Sequence, residues 1–86
     1  MAISFTFTVS DPAGIHARPA SQLVAKAQEF NSAITLRMDD RSVDAKRILG
    51  VMGFGAKQGD SIEVSVDGDD ETAAAAELER FVKENL

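Results

Sequence analysis

Residues 3–9, ISFTFTV, alternate without interruption: Ile3, Phe5, Phe7 and Val9 fall on one side, Ser4, Thr6 and Thr8 on the other. A period of two in β-branched and aromatic residues predicts a strand with one buried face. SDPAG then breaks the pattern with the Pro and Gly of a loop. From Ala17 to Phe30 the apolar positions Ala20, Leu23, Val24, Ala27 and Phe30 step by three and four, which predicts a helix with one stripe on a core. Pro19 fits only the first turn, where its missing N–H has no intrahelical partner to lose, so the helix starts within a residue or two of His16. Asn31 and Ser32 end it. Ile34, Leu36 and Met38 mark a second strand over 33–38, Asp39 and Asp40 a turn, and RSVD the return strand of a hairpin. AKRILGVMGFG (45–55) is apolar on nearly every side, a short helix that Asp44 could cap and Gly53 or Gly55 stop. Residues 61–67, SIEVSVD, alternate again with Ile62, Val64 and Val66 inward. Asp69 or Asp70 is the expected cap of a last helix, with Glu71 in its first turn and Ala74, Leu78, Phe81 and Val82 on its inner face.

The order β-α-β-β-α-β-α predicts an α+β fold, with the helices on one face of a four-stranded antiparallel sheet. The other face is polar, carrying Ser4, Thr6, Thr8, Thr35, Arg37, Ser61, Glu63 and Ser65. At 86 residues the chain reads as a single domain, 1–86, whose small core needs most of its apolar residues. Cysteine is absent, which excludes disulfides, thiolate zinc sites and a cysteine nucleophile. With one histidine besides, no metal and no cofactor are expected. No apolar run approaches the ~20 residues that span a bilayer. MAISFTFTVSD lacks the basic and apolar regions of a signal peptide, so a soluble, cytoplasmic protein without membrane insertion is expected. The net charge of −5 argues against general nucleic-acid binding. A local basic spot remains open to Arg18, Lys26, Lys46, Arg47 and Lys57.

The candidate chemistry lies in GIHARPAS, Gly14 to Ser21. A helix start offers backbone N–H groups without intrahelical partners and the positive end of the macrodipole, an arrangement that takes anions. Arg18 adds a guanidinium that can fork two phosphate oxygens. His16 adds a nitrogen nucleophile that is largely neutral near pH 7 and needs no base, its lone pair being free. Pro19 fixes the first turn without touching the N–H groups of Ala17 and Arg18, and Gly14 frees the loop to curl over the helix end. These residues fit a phosphoryl group carried on His16. They fit a histidine that merely caps a helix as well, and the residues alone leave both open.

GIHARPAS resembles the active-site segment of the HPr family, the histidine-containing phosphocarriers of the bacterial phosphoenolpyruvate:sugar phosphotransferase system. DAKRILGVMGFGAKQGDSIEVSVDGDDE resembles the second half of the same family, so the likeness covers essentially the whole chain. It implies an open-faced β-sandwich of four antiparallel strands and three helices. It implies a phosphoryl group taken by His16 on Nδ1 from phospho-enzyme I and passed to enzyme IIA domains of sugar permeases, so the chain would be a carrier and not a stand-alone enzyme. Arg18 would assist transfer, the backbone N–H groups of Ala17 and Arg18 would hold the phosphate, and Gly14 and Pro19 would shape the turn. Ile48 and Val51 are then expected in the core, and Leu49, Met52 and Phe54 in an exposed patch that docks partners together with Arg18 and Ser21. The regulatory serine that many Gram-positive members carry at the start of the short helix is matched here by Arg47, which cannot accept that phosphate. Two other readings stand beside this one. A regulatory or nitrogen-branch paralogue would act mainly by binding a regulatory protein such as a transcriptional regulator. An RNA-recognition module shares the element order, but needs aromatic residues on the open face and a basic footprint.

Overall fold

A computed structural model describes residues 2–15 and 17–86, in the order β1 (Ile3–Thr8), α1 (Ala17–Gln28), β2 (Ala33–Met38), β3 (Arg41–Asp44), α2 (Ile48–Met52), β4 (Ser61–Asp67), α3 (Glu71–Asn85). The strands form one antiparallel sheet in the order β1-β4-β2-β3. Register follows from the alternation. Phe5, Val64, Leu36 and Val43 make one row toward the helices, and Thr6, Glu63, Arg37 and Ser42 make a row on the bare face. A one-residue slip would exchange the two sets, which pins the pairing. Arg37 and Glu63 meet across that bare face at 2.8 Å, and its Ser and Thr side chains are exposed apart from the half-buried Ser65. The β2–β3 hairpin closes on Asp39 and Asp40, with Asp39 at φ +58. An Asp tolerates this left-handed backbone better than most residues.

Ala20, Leu23 and Ala27 of α1, Ala74, Leu78 and Val82 of α3, and Val51 of α2 close the core over Ile34, Leu36, Ile62, Val64 and Val66. No described helix is long and apolar enough to cross a membrane.

Three expected element ends differ. Helix α1 stops at Gln28, and the N–H groups of Glu29 and Phe30 bond three residues back, to Lys26 and Ala27, in a tightened last turn. Asp44 does not cap α2. Its Oδ1 accepts the N–H of Lys46 at 2.9 Å, while the cap position belongs to Arg47, whose side chain makes no cap bond. Asp70 does occupy the cap position of α3, but its carboxylate turns away from its own helix. It accepts the N–H of Asn31 at 2.8 Å, the N–H of Ser32 at 2.9 Å and the hydroxyl of Ser32. Ser32 is fully buried, so its donors need partners, and the open end of α1 claims the carboxylate. The Ser32 hydroxyl, then the Asn31 N–H, hold the Asp70 carboxyl below its ordinary value of 3.8.

Candidate phosphoryl-carrier site

The segment between β1 and α1 is fixed to three other parts of the chain. Val9 donates to the carbonyl of Asp60 at 2.9 Å and accepts from Gly59 at 2.8 Å. Ser10 donates its N–H at 2.6 Å and its hydroxyl at 3.0 Å to the main-chain oxygen of Leu86. Asp11 turns the chain by accepting the N–H of Ala13 at 2.8 Å on Oδ1 and that of Gly14 at 2.9 Å on its carbonyl. Ile15, 8% exposed, then donates to the carbonyl of Ala56 at 3.2 Å. The chain therefore enters α1 from a loop with few degrees of freedom left.

Gly14 is needed there for two reasons. Its φ is +71, and a Cβ at this position would lie 2.5 Å from the carbonyl oxygen of Ala56. Helix α1 starts at Ala17, with Pro19 buried in its first turn as expected and Arg18 and Ser21 exposed. His16, the expected phosphoryl acceptor, lies outside the described residues.

Helix α2 provides the apolar surface, with two changes from expectation. Phe54, expected in the exposed patch, is 2% exposed. Gly53 ends α2, and the N–H of Phe54 bonds to the carbonyl of Val51 at 3.3 Å, so the chain turns and drives the ring inward. The guanidinium of Arg41 lies over that ring, 5.7 Å from its centroid. Ile48, expected in the core, is 37% exposed. At about 100° per residue, Ile48, Met52 and Leu49 span one arc of roughly 100° while Val51 points elsewhere. A helix of five residues has room for one inward side, and Val51 fills it. The outward stripe is Ile48, Leu49 at 83% exposure and Met52 at 45%. Composition hid this, because all five apolar residues of 48–54 look alike until the end of α2 is placed.

Of the residues proposed for a basic spot, Lys26 is spent on Glu29 and Glu77, both at 3.8 Å. Lys46 donates its ammonium to the carbonyl of Phe30 at 2.7 Å. Two grooves of about 470 and 230 Å³ open along β2 and the bare face of the sheet, sharing Thr35 and Ser42, and no described residue of 14–21 lines either. Arg18 at the start of α1 is exposed, and α2, which packs on α1, carries the exposed apolar stripe. Such a surface suits a group handed between proteins better than a small molecule enclosed in a cleft.

Comparison with known proteins gives the same direction. A family model described as "PTS HPr component phosphorylation site" matches residues 3–84. The phosphocarrier protein HPr of Lysinibacillus sphaericus is 53% identical over 78 residues, covering 91% of this chain and 89% of that protein. That of Treponema pallidum is 45% identical over 76 residues, covering 88% and 86%. The crystal structure of HPr from Thermoanaerobacter tengcongensis superposes with a TM-score of 0.90 at 35% identity, over 95% of this chain and 92% of that one. With a match that runs from the first strand into the last helix, the chain belongs to the HPr family of phosphocarrier proteins of the phosphotransferase system.

Proposed function

We propose that the chain acts as one domain, residues 1–86, that accepts a phosphoryl group on His16 from phospho-enzyme I and delivers it to enzyme IIA domains in the cytoplasm. The observation that carries this reading is the loop Asp11–Ile15, held against Ala56 and leading directly into a helix start beside an exposed arginine. In the forward step the lone pair of His16 Nδ1 attacks phosphorus. The N–P bond forms as the donor's bond to phosphorus breaks, and that electron pair returns to the donor. Transfer to an acceptor is the same exchange with the imidazole leaving.

Charge on the moving group is spread over its three equatorial oxygens. The first-turn N–H groups of Ala17 and Arg18 and the guanidinium of Arg18 are the donors for those oxygens. Gly14 and Pro19 set the turn that aims them. Both partners dock in turn on Ser21, Leu49 and Met52, with Ile48 added and Phe54 acting from beneath as support. Arg47 stands where some relatives place a regulatory serine, so control by a kinase at that position is absent.

The test is incubation with enzyme I and labelled phosphoenolpyruvate. An acid-labile, base-stable phosphoprotein is expected, and His16→Ala should keep its fold and lose the label. A label retained by that variant places the acceptor elsewhere, and a wild-type chain that takes none removes the carrier reading.

A further inference from the structure

Nine lysines and arginines are distributed along the chain, and the fold engages most of them. Lys26 pairs with Glu29 and Glu77, Arg37 with Glu63, Arg80 with Glu77, and Lys83 with Glu79. Lys46 is bound to a carbonyl and Arg47 reaches Asp44 at 3.9 Å. Among the described residues Arg18, Arg41 and Lys57 have no acidic partner. In a chain of net charge −5 a cation finds acids easily, so three left without one call for an explanation. Arg18 is in the first turn of α1, Arg41 lies over Phe54, and Lys57 follows Ala56, which accepts the N–H of Ile15.

Of the three, Lys57 has a fixed root and an uncommitted charge. Its N–H donates to Asp60 Oδ2 at 2.9 Å, and its carbonyl accepts the N–H of Asp60 at 3.0 Å. The neighbouring carboxylate is thus engaged by the Lys57 backbone, and Lys57 itself is exposed. A Cβ on Gly14 would lie 3.1 Å from the Lys57 Cα, so the two backbones touch. The flexible four-carbon stem of Lys57 therefore starts from backbone packed against the loop that precedes α1. Arg41, by contrast, is laid against a ring.

We propose that Lys57 is a second cation of the phosphoryl site, neutralising phosphoryl oxygens from the side of the 55–57 loop while Arg18 acts from the side of α1. The inference rests on His16 being the acceptor. A doubly charged phosphoryl group on an acidic chain meets general repulsion, and a flexible ammonium beside it offsets that locally. Because Lys57 is exposed, its effect is smaller than that of an enclosed donor.

The experiment compares wild type, Lys57→Gln, Lys57→Arg and Lys83→Gln in initial rates of phosphorylation by enzyme I and phosphoenolpyruvate, with thermal unfolding as a control. Lys83→Gln makes the same change in net charge on α3. Lys57→Gln should slow transfer roughly threefold to tenfold, Lys57→Arg should restore it, and Lys83→Gln should leave it unchanged, with all variants equally folded. Unaltered transfer in Lys57→Gln would overturn the proposal, as would equal losses in Lys57→Gln and Lys83→Gln or failure of the arginine to rescue. A wild-type chain that takes no phosphoryl group on His16 would overturn the carrier reading and this inference with it; a labelled wild type with an indifferent Lys57→Gln overturns this inference alone.

Discussion

Replacing Gly14 by alanine tests whether the loop before His16 is held as tightly as its contacts suggest. Two separate costs meet at this position. Alanine at φ +71 is unfavourable by about 1–2 kcal/mol. The new methyl would also stand 2.5 Å from the Ala56 oxygen and 3.1 Å from the Lys57 Cα. Both are backbone atoms, so the 55–57 loop must move bodily. Its displacement endangers the 3.2 Å bond from Ile15 to Ala56, and leaving a buried N–H unpaired costs about 1–3 kcal/mol. The sum is roughly 2–5 kcal/mol, and at 4–8 °C per kcal/mol for a domain of this size the melting temperature should fall by roughly 10 °C or more.

Two other glycines separate the terms. Gly59 has φ +92 and open space around its missing Cβ, so Gly59→Ala carries the backbone cost alone. Gly68 has an ordinary φ but would place a Cβ 2.6 Å from the Ser32 Cα, so Gly68→Ala carries the collision alone. The assay is thermal unfolding of the three variants by circular dichroism, with phosphorylation rates measured well below each transition. Gly14→Ala should be clearly less stable than Gly59→Ala, and it should also lose transfer at temperatures where it is still folded. Equal melting temperatures for these two variants would refute a clamp of Gly14 and Ile15 against Ala56.

The burial of Phe54 and the exposure of Leu49, five residues apart, predict opposite phenotypes. Phe54→Ala should cost about 3–5 kcal/mol in urea unfolding. Leu49→Glu should leave stability nearly unchanged and weaken binding of enzyme I in titration calorimetry; equal affinity would move the docking surface off α2. Asp70 predicts a pH effect. Its carboxyl is depressed below 3.8 by its bonds to Ser32 and Asn31, so the folded state holds fewer protons there than the unfolded chain. That stabilisation is fully present above the ordinary carboxyl range and is lost as pH falls through the depressed folded value. The stability gap between wild type and Asp70→Asn, measured by urea unfolding at pH 6 and near pH 2, should therefore shrink toward acid; a constant gap would contradict it.

Strand positions were legible in the sequence because alternation is a local signal with one physical cause. Ile34, Leu36 and Met38 can share a face in an extended chain only as they do, and β4 repeats the case. Helix α1 was legible through Pro19, which is compatible with a first turn and little else. The expectation failed where a side chain had two outlets. Asp70 sits at a good cap position, yet the end of α1, distant in sequence, offers three donors including the buried Ser32, and no local pattern announces that. Asp44 is drawn off in the same way by the N–H of Lys46, two residues on. Ile48 and Phe54 exchanged roles because a helix of five residues has no reliable stripe. Its inner side is decided by where the chain stops, and a sequence with glycines at 53 and 55 allows either stop. The signal that could have separated them is Gly53, since a residue just past a helix end is free to turn back into the core.

This exchange bears on how a carrier can use so small a fold. An 86-residue chain has little apolar surface to spare, yet α2 leaves Ile48, Leu49 and Met52 outside the core. The loss is limited because Val51 and Phe54 seal the same segment from within, Phe54 from just past the helix end. With those two anchors, Leu49 is left largely free of packing and Ile48 and Met52 are only partly covered, which leaves an apolar surface for the proposed partners. A longer helix would have to bury more of its stripe, and one without Phe54 would have to turn Leu49 or Met52 inward. The same division holds for charge. Lys26, Arg37, Arg80 and Lys83 are consumed in ion pairs, and Arg18 and Lys57 are not. On the proposed function, stability is drawn from one set of residues and recognition from another. Substitutions in the second set should therefore alter transfer with little effect on folding, and a panel in which Arg18, Leu49 and Lys57 variants all lost stability in proportion to activity would show that no such division exists.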